Sequence, residues 1–95
     1  MPSPAEAAGL DCAGQVVSGD IDRFAGTQTD PIAALQDEFE GLLTTDGVAL
    51  GSYEGRPAVV VTRDQRVVFI GSYGQDGRIY QYTGCVEAGI KPSGT

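Results

Sequence analysis

Ninety-five residues, 41% hydrophobic and 20% charged, describe one globular domain rather than a disordered chain or a string of domains. Thirteen acidic residues against six basic ones leave a formal charge of −7, which excludes nucleic acid as a partner, because no basic face is available to displace counterions. There is no histidine, which excludes imidazole-based catalysis, and no apolar run approaches the ~18 residues that a membrane helix needs.

In chain order, residues 1–9 are small residues, proline and alanine, and read as a flexible tail. Residues 88–95 read the same way, which leaves a single domain of residues 10–87. A domain of about 80 residues is marginally stable without help. Cys12 and Cys85 stand near its two ends. A disulfide between them closes nearly the whole domain into one loop, worth roughly 4 kcal/mol in the chain-entropy model. An even cysteine count in so small a domain points to an oxidising, extracytoplasmic location. Zinc does not fit, since there is neither a CxxC spacing nor a histidine. No signal peptide is visible, so export requires a signal that this chain does not contain, and a lipid-anchored precursor is equally compatible.

Residues 14–22 suggest a short N-terminal strand around residues 15–18. Gln15-Val16-Val17-Ser18-Gly19 matches the QxVxG loop of cystatins, single-helix inhibitors with an antiparallel sheet. In cystatins that loop follows the helix; here it precedes it, so no inhibitory residue is carried over. Asp20-Ile21-Asp22 resembles the opening of a calcium loop, but Phe24 and Ala25 stand where an oxygen ligand and a glycine are needed.

Asp30 is a good helix N-cap, and Pro31 follows at the first helical position, where its missing N–H costs nothing. Ile32, Leu35, Phe39, Leu42 and Leu43 then share one face, which predicts an amphipathic helix over residues 31–43. Residues 48–53, 58–63, 67–73 and 79–83 are β-branched and aromatic, separated by Glu54-Gly55, Asp64-Gln65 and a turn over residues 74–77. The expected fold is α+β: one helix packed on a four-stranded antiparallel meander, with Leu35, Phe39 and Leu42 against Val59, Val61, Val67, Phe69 and Ile79 or Tyr80.

Two sets of residues stand out as partner-binding candidates. Tyr53 and Arg56 flank one glycine turn, and Tyr73 and Arg78 flank another at the same sheet end; tyrosine and arginine dominate interface energetics. Asp37, Glu38 and Glu40 crowd the C-terminal half of the predicted helix, where negative charge opposes the helix dipole and no lysine or arginine sits three or four residues away. Such a patch fits a basic partner.

The cysteine near each end, the Asp-Pro-Ile-Ala-Ala-Leu helix opening, the Ala58-Val59-Val60-Val61 strand and a closing strand running into Cys85 resemble small exported proteins and lipoproteins of actinobacteria. That resemblance implies an envelope or extracellular location and transfers no functional motif. The expectation is a non-catalytic protein-binding module without metal or cofactor, an envelope accessory domain or an inhibitor or immunity-type protein. The alternatives are a small-ligand carrier with a pocket between helix and sheet around Phe39, Phe69 and Tyr82, and an enzyme built on carboxylates.

Overall fold

The computed structural model describes residues 10–21, 30–75 and 77–92. Its elements are β1 (Val16–Asp20), α1 (Pro31–Glu38), β2 (Phe39–Glu40), β3 (Gly47–Tyr53), β4 (Arg56–Arg63), β5 (Arg66–Tyr73), β6 (Ile79–Cys85), a 3-10 turn (Val86–Ala88) and β7 (Lys91–Pro92). The chain is α+β, and β3 to β6 form the antiparallel meander read from their alternation and turns. The sheet has a fifth strand: β1 lies antiparallel beside β6, giving the order β1-β6-β5-β4-β3.

The β3–β4 turn places Glu54 and Gly55 at positive φ, and the β4–β5 turn does the same with Asp64 and Gln65. Two consecutive positive-φ residues are the hairpin geometry that matches strand twist. Asp30 caps the helix as expected: its Oδ1 accepts from the Ile32 N–H at 3.0 Å.

The helix ends earlier than its apolar spacing predicts. Phe39 is already extended, at φ −123° and ψ 151°, and Gly41 follows at φ 97°. Phe39 and Glu40 instead pair with Pro92 and Lys91 in a two-stranded ribbon. Leu42 still packs at the margin of the core, whereas Leu43 is exposed. The expected C-terminal tail is corrected by the same ribbon: Ala88 and Ile90 are buried and residues 88–92 belong to the fold. Residues 1–9 and 93–95 lie outside the described residues, as do Asp22 and Phe24–Ala25 of the Asp20-Ile21-Asp22 motif.

Strand register sorts the side chains of the sheet into two faces. On the helix side, one cross-strand row reads Leu50, Val59, Gly71, Tyr82, Gly19, and the next reads Val48, Val61, Phe69, Gly84, Val17. Phe69 and Tyr82 therefore each have glycine neighbours across the sheet and spread over them. Phe39 stands edge-on to both rings, with centroids 5.2 Å from Phe69 and 5.4 Å from Tyr82. Leu35, Phe39, Val59, Val61, Phe69 and Ile79 are all buried in this cluster, with Leu42 and Val67 partly so. Tyr80 is not part of it.

On the opposite face, Ala58, Ser72, Gln81 and Asp20 form one row, and Val60, Ile70, Thr83 and Ser18 the next. This face is far more polar. Among the described residues, no helix is long and apolar enough to cross a membrane.

Candidate functional site

Cys12 and Cys85 are joined by a disulfide, with Cα atoms 5.3 Å apart and a sequence separation of 73. It pins residues 10–15 to the end of β6. That segment is held further by Asp11 N–H to the Val67 carbonyl, Val86 N–H to the Gln15 carbonyl and Gly14 N–H to Glu87 Oε2. A hollow of about 350 Å³ lies beside it, walled by Asp11, Arg63, Asp64, Arg66 and Glu87. Much of its polar chemistry is already committed: Glu87 accepts from Gly14, Arg63 grips Asp46, and Arg66 lies 3.9 Å from Asp11. These groups hold the fold together.

The better candidate is at the opposite end of the sheet. A concavity of about 180 Å³ opens on the polar face between Tyr53, Glu54, Ser18, Ser72, Gln81 and Thr83, with Ile70 at its base. Strand geometry assembles it. Tyr53 is the last residue of β3 and projects to the same face as Ala58 and Ser72. Ser72 pairs with Gln81, and Thr83 pairs with Ser18, whose hydroxyl donates to Thr83 Oγ1 at 2.8 Å. Partial burial, then the charge of Glu54 and a hydrogen bond to it, raise the Tyr53 hydroxyl above its usual value of 10.0, so the phenol stays protonated at neutral pH. One carboxylate, four neutral hydrogen-bonding side chains and an aromatic wall suit a cationic or multiply donating group. They do not assemble a nucleophile with its base.

Of the residues singled out from sequence, Tyr53 lines this concavity. Arg56 is exposed and directly opposite Tyr53 in the β3–β4 ladder. Tyr73 and Arg78 lie on the neighbouring hairpin at the same sheet end, but both are half-buried; Tyr73 packs on the core and Arg78 already has a partner interaction. The acidic set does not form one helical face. Asp37 is exposed and Glu38 half-buried on α1, each with an interaction of its own. Glu40 lies past the helix in β2, with Lys91 Nζ 3.5 Å away, so the counter-charge missing from local sequence comes from the chain's other end. Gln15–Gly19 is not a loop between strands: its last four residues belong to β1.

Sequence reasoning missed Ser18, Glu54, Ser72, Gln81 and Thr83. Polar Gln81 and Thr83 alternating with Tyr80 and Tyr82 did signal a two-faced strand. Only the register shows which residues of other strands stand beside them. No protein-family model matches the chain, and neither a curated protein nor a solved structure proves similar to it.

Proposed function

We propose that this chain is a non-catalytic, extracytoplasmic protein-binding module that receives a basic side chain of its partner in the Tyr53 concavity. The observation that carries the reading is the composition and size of that hollow. Among the described residues that line it, the one charged group is the Glu54 carboxylate; the hollow sits on a chain of net charge −7, and its volume is about 180 Å³. Sites for drug-sized ligands run to about 300–1,000 Å³, so this one suits a single inserted side chain better than a free small molecule. The carrier reading looked to the space between helix and sheet, which the stacked rings of Phe69 and Tyr82 and the edge-on ring of Phe39 fill. The disulfide supports an oxidising compartment.

The test is site-directed photo-cross-linking in the compartment where the protein resides. A photoreactive residue at Arg56, across the β3–β4 ladder from Tyr53, should give a discrete adduct with one partner. The same group at Asp64, at the far end of the sheet, should not. Glu54→Gln should slow association and weaken its salt dependence. Tyr53→Ala should weaken binding about 30-fold or more, the equivalent of a ~2 kcal/mol hot spot. An adduct that forms equally from Asp64, or is indifferent to both substitutions, would overturn the reading.

A further inference from the structure

Strand β3 ends the sheet, and five of its seven residues are exposed. Its sequence, Gly47-Val48-Ala49-Leu50-Gly51-Ser52-Tyr53, contains no charge and no proline. Its ladder to β4 runs without a register shift, whereas the β4–β5 and β5–β6 ladders each contain one. Leu50, at its centre, is 55% exposed. Charges, prolines, bulges and covering elements are the devices that keep sheet edges from pairing with other chains. Among the described residues β3 has none of them. The other edge, β1, is shorter and ends on Asp20.

We infer that β3 is the seam of a symmetric dimer, in which two copies pair this strand antiparallel about Leu50. The reading shares Tyr53 with the concavity but rests on the backbone edge of β3, not on what the concavity binds. Leu50 is the midpoint of β3, so this is the one antiparallel register that pairs all seven residues. It sets Leu50 against Leu50, Val48 against Ser52 and Ala49 against Gly51. It also sets Tyr53 against Gly47 twice, repeating the aromatic-over-glycine pairing that the sheet already uses for Tyr82 with Gly19 and Gly71, and for Phe69 with Gly84. No charge faces a like charge within the ladder. One step beyond it, Glu54 would approach Asp46, whose carboxylate is turned inward onto Arg63 and only 1% exposed. An uncharged strand offers a charged partner nothing to pair with, while a second copy leaves nothing unmatched. Each copy still carries −7, so the repulsion is long-range and salt must strengthen the dimer. This is the reverse of the salt effect expected at the Glu54 concavity, so either reading can fail without the other.

Sedimentation of the whole chain from micromolar to several hundred micromolar should show a concentration-dependent dimer that tightens as salt is added. Leu50→Lys should weaken it at least about tenfold. Val17→Lys, on the half-exposed surface of β1, should leave it unchanged. The register is tested by cysteines. Facing residues of an antiparallel pair have Cα atoms about 4.5–5.5 Å apart, within disulfide reach, so Leu50→Cys should link to its own copy. Ser52→Cys should not link to itself but should link to Val48→Cys. A chain that stays monomeric throughout, a dimer indifferent to Leu50→Lys, self-linking of Ser52→Cys as readily as Leu50→Cys, or a foreign peptide found on β3 of a monomer would each overturn the inference.

Discussion

Arg63 joins three separate segments of the chain through one guanidinium. Its Nε and Nη2 donate to the two carboxylate oxygens of Asp46, both at 2.8 Å. Its Nη1 reaches the Ala88 carbonyl at 3.0 Å and its Nη2 the Gly41 carbonyl at 3.2 Å. One guanidinium thus ties the end of β4 to both segments that flank the β2–β7 ribbon. The Asp46 side chain is 1% exposed and that of Arg63 20%, so the partners are not equivalent. Arg63→Ala leaves the Asp46 carboxylate only the Leu43 N–H among the described residues and frees two carbonyls as well, and should be the larger loss, at about 3 kcal/mol. Asp46→Ala leaves the guanidinium two carbonyl acceptors and some water, and should cost about 1–3 kcal/mol. Denaturant midpoints check this order, and Asp46→Ala proving the worse of the two would refute it. Hydrogen bonding from Arg63 lowers the Asp46 pKa below its ordinary 3.8, against an opposing effect of burial. A carboxylate whose folded pKa is depressed stabilises the fold above its unfolded value and loses that contribution as pH falls through the folded one. The stability gap between wild type and Asp46→Ala should therefore hold from neutral pH down toward 3.8 and close below it.

At the scale of elements, the four meander strands and their turns were legible because each is encoded locally, by β-branched runs and by turn residues between them. The start of α1 was legible for the same reason, through Asp30 and Pro31. Its end was not. The spacing of Leu35, Phe39 and Leu42 fits a longer helix, but Phe39 gains more by standing between Phe69 and Tyr82, and residues 39–40 gain a ladder with residues 91–92. Asp37 and Glu38 therefore stand in the last turn of α1, where the helix dipole disfavours them, while Glu40 lies beyond it in β2 beside Lys91. The strand at residues 15–18 and the Cys12–Cys85 bond were both legible, but the register of β1 on β6, on which Ser18 of the candidate site depends, joins segments more than sixty residues apart and has no local signal. The aromatic-over-glycine rows were also invisible without register, and they make a prediction. A Cβ at Gly84 would lie 2.9 Å from Phe69 Cδ2 and 3.3 Å from the Val68 carbonyl oxygen. Gly84→Ala should cost about 1–3 kcal/mol by overpacking, and pairing it with Phe69→Leu should recover part of that loss. Gly51→Ala, on exposed β3, meets only a Val60 methyl at 3.3 Å and should cost clearly less. Equal losses for the two glycines would mean that the packing of Phe69 is not what Gly84 protects.

For the whole molecule, the Cys12–Cys85 bond joins residues separated by 73 positions and so restricts almost the entire unfolded chain. The folded ends are held independently. The ladder of β1 with β6, the Asp11–Val67 and Val86–Gln15 backbone bonds and the burial of Leu10 would all persist without the disulfide. Its stabilisation should therefore act mainly through the unfolded state, at roughly 4 kcal/mol for a loop of this length. In a domain this small, each kcal/mol shifts the melting temperature by about 4–8 °C, so the Cys12→Ala/Cys85→Ala variant should melt some 15–30 °C lower and still reach the same fold. Hydrogen exchange separates this account from a local one. If the bond acts by restricting the unfolded chain, the slowest amides of β4 and β5, far from Cys12 in the sheet order, should lose as much protection as the denaturant midpoint implies. If it merely straps residues 10–20 in place, only those amides should speed up while the central strands keep their protection, and the melting temperature should barely move.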